Sequence, residues 1–177
     1  MTIYLLAGHT PGGARPDPGA SGNGLTEARE TVRVRDAVTT LLRKKGKTVV
    51  NDNDTDRLGT VLAKIPSSYK DIVCDIHFNA HYKPSATGVE VLVPDEHTHE
   101  ELLLARRLAA GIANALGIRN RGVKTEADSK RGRLGVMRKQ GRNVLIEVCF
   151  LTNEDDVAAY QLGFGPLCEV IARELAE

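Results

Sequence analysis

The amino-acid sequence predicts an α/β layered fold with a mixed sheet, built as a single domain over residues 1–177. Three observations predict it. Short apolar runs rich in Val and Ile, each bounded by turn residues, recur along the chain. Helical periodicity fills several of the intervals between them. A chain of 177 residues with 41% hydrophobic content is large enough to bury one full core.

The elements follow in order. "TIYLLA" (2–7) is the first strand, and "GHTPGGARPDPGASGNG" (8–24) is a long irregular piece. Val34, Ala37, Val38, Leu41 and Leu42 repeat at the spacing of one buried helical face and stop at Gly46, which predicts a helix over 25–45. "KTVVN" (47–51), "DIVCDI" (71–76) and "GVEVLV" (88–93) read as further strands, the last through a connection that predicts a different pairing direction. Leu104, Leu108, Ile112 and Ala115 mark a second helix ending before Gly117, and "RNRGVKTEADSKRGR" (119–133) reads as a second irregular piece. "NVLIEVCF" (143–150) is another strand. Thr152 and Asn153, followed by Glu154, Asp155 and Asp156, resemble an N-cap with acids at the positive helix end. A last helix reaches the C-terminus, interrupted at "GFGP" (163–166). Structureless loops as long as the two irregular pieces usually carry function.

Bulk properties narrow the function classes. The formal charge is +1, so the whole chain has no electrostatic footprint for nucleic acid or an anionic membrane. No apolar stretch approaches the roughly 20 residues of a membrane span. "MTIYLLAGH" lacks the basic start and long apolar middle of a signal peptide, so the chain reads as soluble and unexported unless a leader was trimmed. Cys74, Cys149 and Cys168 are odd in number and lack C-x-x-C spacing, which favours small buried residues in a reducing compartment over a disulfide framework or thiolate zinc site.

One carboxylate is out of place. Glu147 sits inside the apolar run "LIEVCF", where an ionised side chain without a partner costs many kcal/mol. Its partner is sought among the other polar residues that the fold brings to the same sheet edge. His9 follows the first strand and His77 ends the third run, so both leave the sheet where ligands of open α/β folds sit. Glu27 begins the first helix, right after the loop that starts at His9. Two His and one carboxylate make the three-ligand set of a catalytic zinc site with a fourth position for water, and Glu147 would face that water as general base. Each residue alone also has a plainer reading: a hydrogen-bonded His after a strand, a Glu placed for the helix dipole, a Glu paired with an arginine. His81, His97 and His99 compete as ligands, although His97 and His99 lie in the polar helix entry "PDEHTHE". "GHTPGG" lacks both phosphate-loop spacings. Arg119, Arg121, Lys124, Lys130, Arg131, Arg133, Arg138, Lys139 and Arg142 outnumber Glu126 and Asp128, which fits a solvated basic surface or a patch that meets an anionic polymer.

The motifs "GHTPGGARPDPGASGNGLTEARE", "DIHFNAH…SATGVEVLV", "NRGVK" and "LGVMRKQGRNVLIEVCFLTNEDD", in that order, resemble the zinc-dependent N-acetylmuramoyl-L-alanine amidases of the type-3 family. The resemblance runs over essentially the whole chain. It implies a twisted, mostly parallel sheet of about six strands with helices on both faces. It further implies zinc ligands at His9, Glu27 and His77, a catalytic glutamate at Glu147, and peptidoglycan as the partner. The reaction implied is hydrolysis of the amide between N-acetylmuramic acid and L-alanine, in a phage endolysin, the catalytic domain of a longer cell-wall hydrolase, or a sporulation enzyme. Two departures stand out. Leu6 and Ala7 occupy the place of a usual Asp-Pro pair, which questions the support of His9, and Cys149 stands where glycine is common, on what reads as the face of Glu147. Competing readings are another zinc hydrolase such as a carboxypeptidase, and a wall-binding module without catalysis.

Overall fold

The computed structural model describes residues 1–14, 16–129 and 132–177. In chain order the elements are β1 (Thr2–Ala7), β2 (Ser21–Gly22), β3 (Leu25–Thr26), α1 (Glu27–Lys44), β4 (Thr48–Asn51), α2 (Leu58–Ala63), β5 (Ile72–Asn79), β6 (Val89–Val93), α3 (His99–Leu116), β7 (Asn120–Thr125), β8 (Arg142–Phe150), α4 (Glu154–Leu162) and α5 (Phe164–Ala176). Short 3-10 turns lie at Ala127–Ser129 and Gly135–Arg138.

A six-stranded sheet in the order β4-β1-β5-β8-β6-β7 forms the middle layer. The first four strands run parallel, β6 pairs antiparallel with β8, and β7 pairs parallel with β6. The mixed sheet expected from "GVEVLV" is therefore present. Two expectations are corrected. The piece 119–133 is not wholly irregular, because β7 runs through it at the sheet edge, and the third apolar run continues past His77 to Asn79. The hairpin β2–β3 and helix α2 lie in segments with no clear periodicity.

The two faces of the sheet are covered unequally. One carries α1, α3 and α5, whose Val34, Val38, Leu104, Leu108, Ile112 and Ile171 pack on Ile3, Leu5, Ile72, Cys74, Ile76 and Val144. The other is covered by α2 and the 3-10 turn at Gly135–Arg138, which set Val61, Val136 and Met137 against Tyr4, Leu6, Val73 and Leu145. Helix ends follow the expected chemistry. Thr98 and Glu101 form a capping box at α3, Gly117 closes that helix in the left-handed region, and the Asn153 side chain accepts from Asp156 N–H to start α4.

Candidate metal centre

On the thinly covered face the strands change character along their length. Successive inward positions of β5 are Val73, Asp75 and His77, and those of β8 are Leu145 and Glu147. His77 is the register partner of Glu147, and Glu147 of Glu90, so three polar side chains stand side by side on β5, β8 and β6. Two glutamates directly opposite repel. Arg121 Nε and Lys124 Nζ, each 2.6 Å from Glu90 Oε2, offset that charge. They outweigh the burial that would raise the Glu90 pKa and leave it lowered.

His9 arrives from the loop after β1. Its φ of 68° is left-handed, a conformation that costs a non-glycine residue on the order of 1–3 kcal/mol and is held only where the surroundings enforce it. The enforcement is visible. Thr10 and Asp17 exchange both backbone hydrogen bonds, at 2.9 and 2.8 Å, so the loop closes on itself and returns Asp17 to His9. Asp17 Oδ2 lies 3.0 Å from His9 Nδ1. Glu27, the first residue of α1, is buried and fixed by two backbone donors: Ala20 N–H at 2.8 Å from Oε2 and Phe78 N–H at 3.0 Å from Oε1. Thr31 Oγ1 donates to the Gly8 carbonyl at 2.8 Å and ties the same helix to the end of β1.

These elements bring His9, Glu27 and His77 together, with one potential ligand atom from each lying within 4.8 Å of the others. Glu27 Oε2 is 3.2 Å from His9 Nε2, and Glu27 Oε1 is 2.9 Å from His77 Nδ1. The remaining nitrogen of His77, Nε2, is 3.2 Å from Asp75 Oδ2. The electrostatics match this crowding of acids and imidazoles. Hydrogen bonding to Glu27, opposed by burial, raises the His9 pKa. Burial opposes a charge on His77, but Asp75, Glu27 and Glu147 outweigh it and hold its pKa well above the usual imidazole value. Burial would raise the pKa of Glu27, yet the two imidazoles pull it far below the usual carboxylate range. Two imidazole nitrogens and one carboxylate oxygen from separate elements fit a zinc ion, with each ring backed by a second carboxylate.

Space is as restricted as charge. A Cβ on Gly8 would stand 2.4–2.6 Å from the His77 ring, and one on Gly19 would stand 2.6 Å from both Glu27 Oε2 and His9 Cδ2. Beside the centre a cleft of about 560 Å³ is lined by His9, Asp17, Asp52, Arg57, Asp75 and His77, among others.

The competing histidines lie elsewhere. His81 is exposed against Tyr82, with ring centroids 4.4 Å apart; His97 Nδ1 is 3.0 Å from the Pro94 carbonyl oxygen, and His99 opens α3. Glu147 is 1% exposed. Cys149 does not share its face: β8 spends one more residue than β5 between Glu147 and Phe150, and after this slip Val148, Cys149 and Leu151 all join the three-helix core. All three cysteines are buried and free, and burial pushes the Cys168 thiol up to about 12. Leu6 packs in the smaller core and Ala7 N–H donates to Asp52 Oδ1 at 3.1 Å, so the backing of His9 comes from Asp17. The basic stretch is partly internal. Arg121 and Lys124 hold Glu90, Arg138 holds Glu126, and Lys139 Nζ donates to the Leu62 carbonyl at 3.0 Å; Lys130 and Arg131 lie outside the described residues.

Residues 3–163 match the family model of N-acetylmuramoyl-L-alanine amidases. The chain belongs to this amidase family. Among its relatives, the Bacillus subtilis (strain 168) protein YqiI is 34% identical over 162 residues, covering 88% of this chain and 72% of YqiI. The N-acetylmuramoyl-L-alanine amidase LytC of the same strain is 30% identical over 161 residues, covering 89% of this chain but only 31% of LytC. The crystal structure of an N-acetylmuramoyl-L-alanine amidase from Clostridium difficile 630 superposes with a TM-score of 0.81 at 25% identity, over 98% of this chain and 94% of that one. The catalytic domain of an endolysin targeting Clostridia Difficile shares the fold, with a TM-score of 0.80 at 21% identity over 99% and 96% of the two chains. These amidase structures thus share the fold of this chain over nearly its whole length. Among the described residues no helix is long and apolar enough to cross a membrane. Sequence reasoning singled out His9, Glu27, His77 and Glu147, of which the first three come together here, and passed over Asp17 and Asp75. The strand period could have found Asp75, which lies two residues before His77 and therefore on its face.

Proposed function

We propose that this amidase hydrolyses the amide joining N-acetylmuramic acid to L-alanine of the peptidoglycan stem peptide, as a zinc enzyme acting at the bacterial cell wall. The observation that carries this reading is the convergence of His9, Glu27 and His77 within 4.8 Å, one strand away from buried Glu147 in register with His77. In this reading the three residues hold the metal and Glu147 is the general base. A zinc ion bound there supplies Lewis acidity, polarising a carbonyl and lowering the pKa of a bound water toward about 7. Glu147 takes the proton of the attacking water and passes it to the departing amine of L-alanine. Burial keeps bulk water from competing for that proton, and Glu27, tied down by two backbone donors and both imidazoles, holds the two rings in one arrangement.

Digestion of purified peptidoglycan followed by mass spectrometry of the products tests the reading. The expected products are stem peptides with a free L-alanine amine and glycan strands that keep their lactyl groups, formed with zinc and not after chelation. Release of a single C-terminal amino acid would instead mark a carboxypeptidase. Binding to peptidoglycan without any product would mark a wall-binding module.

A further inference from the structure

We propose that Asp75 and Asp17 are positioning residues that decide which nitrogen of each histidine meets the metal, and that Asp75 carries most of the effect. The proposal rests on the zinc reading above and extends it to two residues outside the ligand set.

Each imidazole lies between two carboxylates. Glu27 faces Nδ1 of His77 and Nε2 of His9, whereas Asp75 faces Nε2 of His77 and Asp17 faces Nδ1 of His9. A neutral imidazole has one N–H and one lone pair. A ring that gives its lone pair to a metal beside Glu27 must carry its proton on the other nitrogen, and an aspartate waits there on both rings to accept it. The two histidines therefore present chemically different atoms, Nδ1 from His77 and Nε2 from His9, and the outer aspartates fix that choice.

The two aspartates differ in setting. Asp75 is 2% exposed, lies on the same strand and face as His77, and has Leu6 as its register neighbour on β1. Its Oδ1 makes no hydrogen bond among the described residues. A buried carboxylate with one oxygen unsatisfied is costly, and the His77 Nε2–H at the other oxygen offsets part of that cost. The Asp17 side chain is 64% exposed, on a loop closed by its backbone pair with Thr10. Water reaches the exposed Asp17 carboxylate freely, whereas the His77 side chain is 13% exposed and its partner Asp75 is buried.

The test uses purified Asp75→Ala, Asp75→Asn and Asp17→Asn proteins. Zinc affinity is measured by competition with a chromophoric chelator, and ligand geometry by the absorption spectrum of the cobalt-substituted protein. Asp75→Ala should weaken zinc about 100-fold, and Asn, whose amide oxygen still accepts the Nε2–H, should recover part of that loss. Asp17→Asn should cost about 10-fold or less. The cobalt spectrum should shift in Asp75→Ala and stay close to the parent in Asp17→Asn. If Asp75→Ala does not fold, Asp75→Asn decides by itself: zinc weakened with a metal-free melting temperature near the parent's supports the proposal. Unchanged affinity and spectrum in the Asp75 variants, with the parent protein binding one zinc, would overturn the proposal and leave the zinc reading standing. A parent protein that binds no zinc would overturn the reading beneath it.

Discussion

The two faces of the sheet are made from the same strands and do different work. On one, α1, α3 and α5 seal an apolar core in which positions such as Leu108 and Ile146 are fully buried within one hydrophobic cluster. On the other, a six-residue helix and a 3-10 turn cover just the first half of β5 and β8, and beyond them the inward positions become Asp75, His77 and Glu147. The difference teaches how the fold affords a crowded polar centre: stability comes from the sealed face, so the open one can hold a strained His9 and several carboxylates at close quarters.

Substitutions on each side break or sharpen that contrast. The largest expected effect is catalytic. Glu147→Ala should lower the release of free peptide amine from peptidoglycan by about 10²- to 10⁴-fold while zinc stays bound, as measured by initial rates and metal content. Activity within tenfold of the parent would remove Glu147 from its role. On the sealed face, Leu108→Ala should cost about 2–5 kcal/mol in denaturant unfolding yet leave the activity per folded molecule unchanged. A loss of activity at full folding would mean that the faces are coupled. The same truncation on the open face, Leu6→Ala, should cost roughly 2–3 kcal/mol. It should also weaken zinc about three- to tenfold, because it admits water beside Asp75. A chelator competition that finds no change in affinity would make Leu6 a packing residue alone.

The smallest effect is a pH dependence of metal stabilisation. In the metal-free protein the acids around them raise the pKa values of His9 and His77 above the ordinary 6.5. Protonation of the two rings therefore stabilises the metal-free fold fully below the unfolded value, and that contribution is lost as pH rises through the raised folded values. Zinc needs each ring's lone pair, so the rise in melting temperature on adding zinc should grow as pH is taken from below the ordinary imidazole value upward through the raised folded values. A rise that is the same at both ends would contradict the proton–metal competition.

Much of this arrangement was legible in the sequence because it follows strong periodic signals. The helix predicted over 25–45 runs from Glu27 to Lys44, and the one marked by Leu104, Leu108 and Ile112 runs from His99 to Leu116. The acids after Asn153 do begin α4. What was missed lacks such a signal. In β7 the sequence "NRGVKT" offers only Val123 to the core, since an edge strand whose Arg121 and Lys124 reach Glu90 need not alternate. Helix α2 has six residues, too few for a face to repeat. Cys149 was assigned to the wrong face because a one-residue slip in pairing cannot be seen in a strand read alone. The convergence of His9, Glu27 and His77 was legible as residue type at element ends, whereas the backing aspartates depend on ring orientation, which only coordinates supply.

The most direct test of the central claim, that three side chains from β1's loop, α1 and β5 hold one metal ion, is the metal content of the purified protein beside that of His77→Ala. The account predicts one zinc per chain in the parent after exhaustive dialysis and a substoichiometric trace in the variant, with both proteins folded. Equal zinc in the two, or none in the parent at any pH where it is folded, would contradict it.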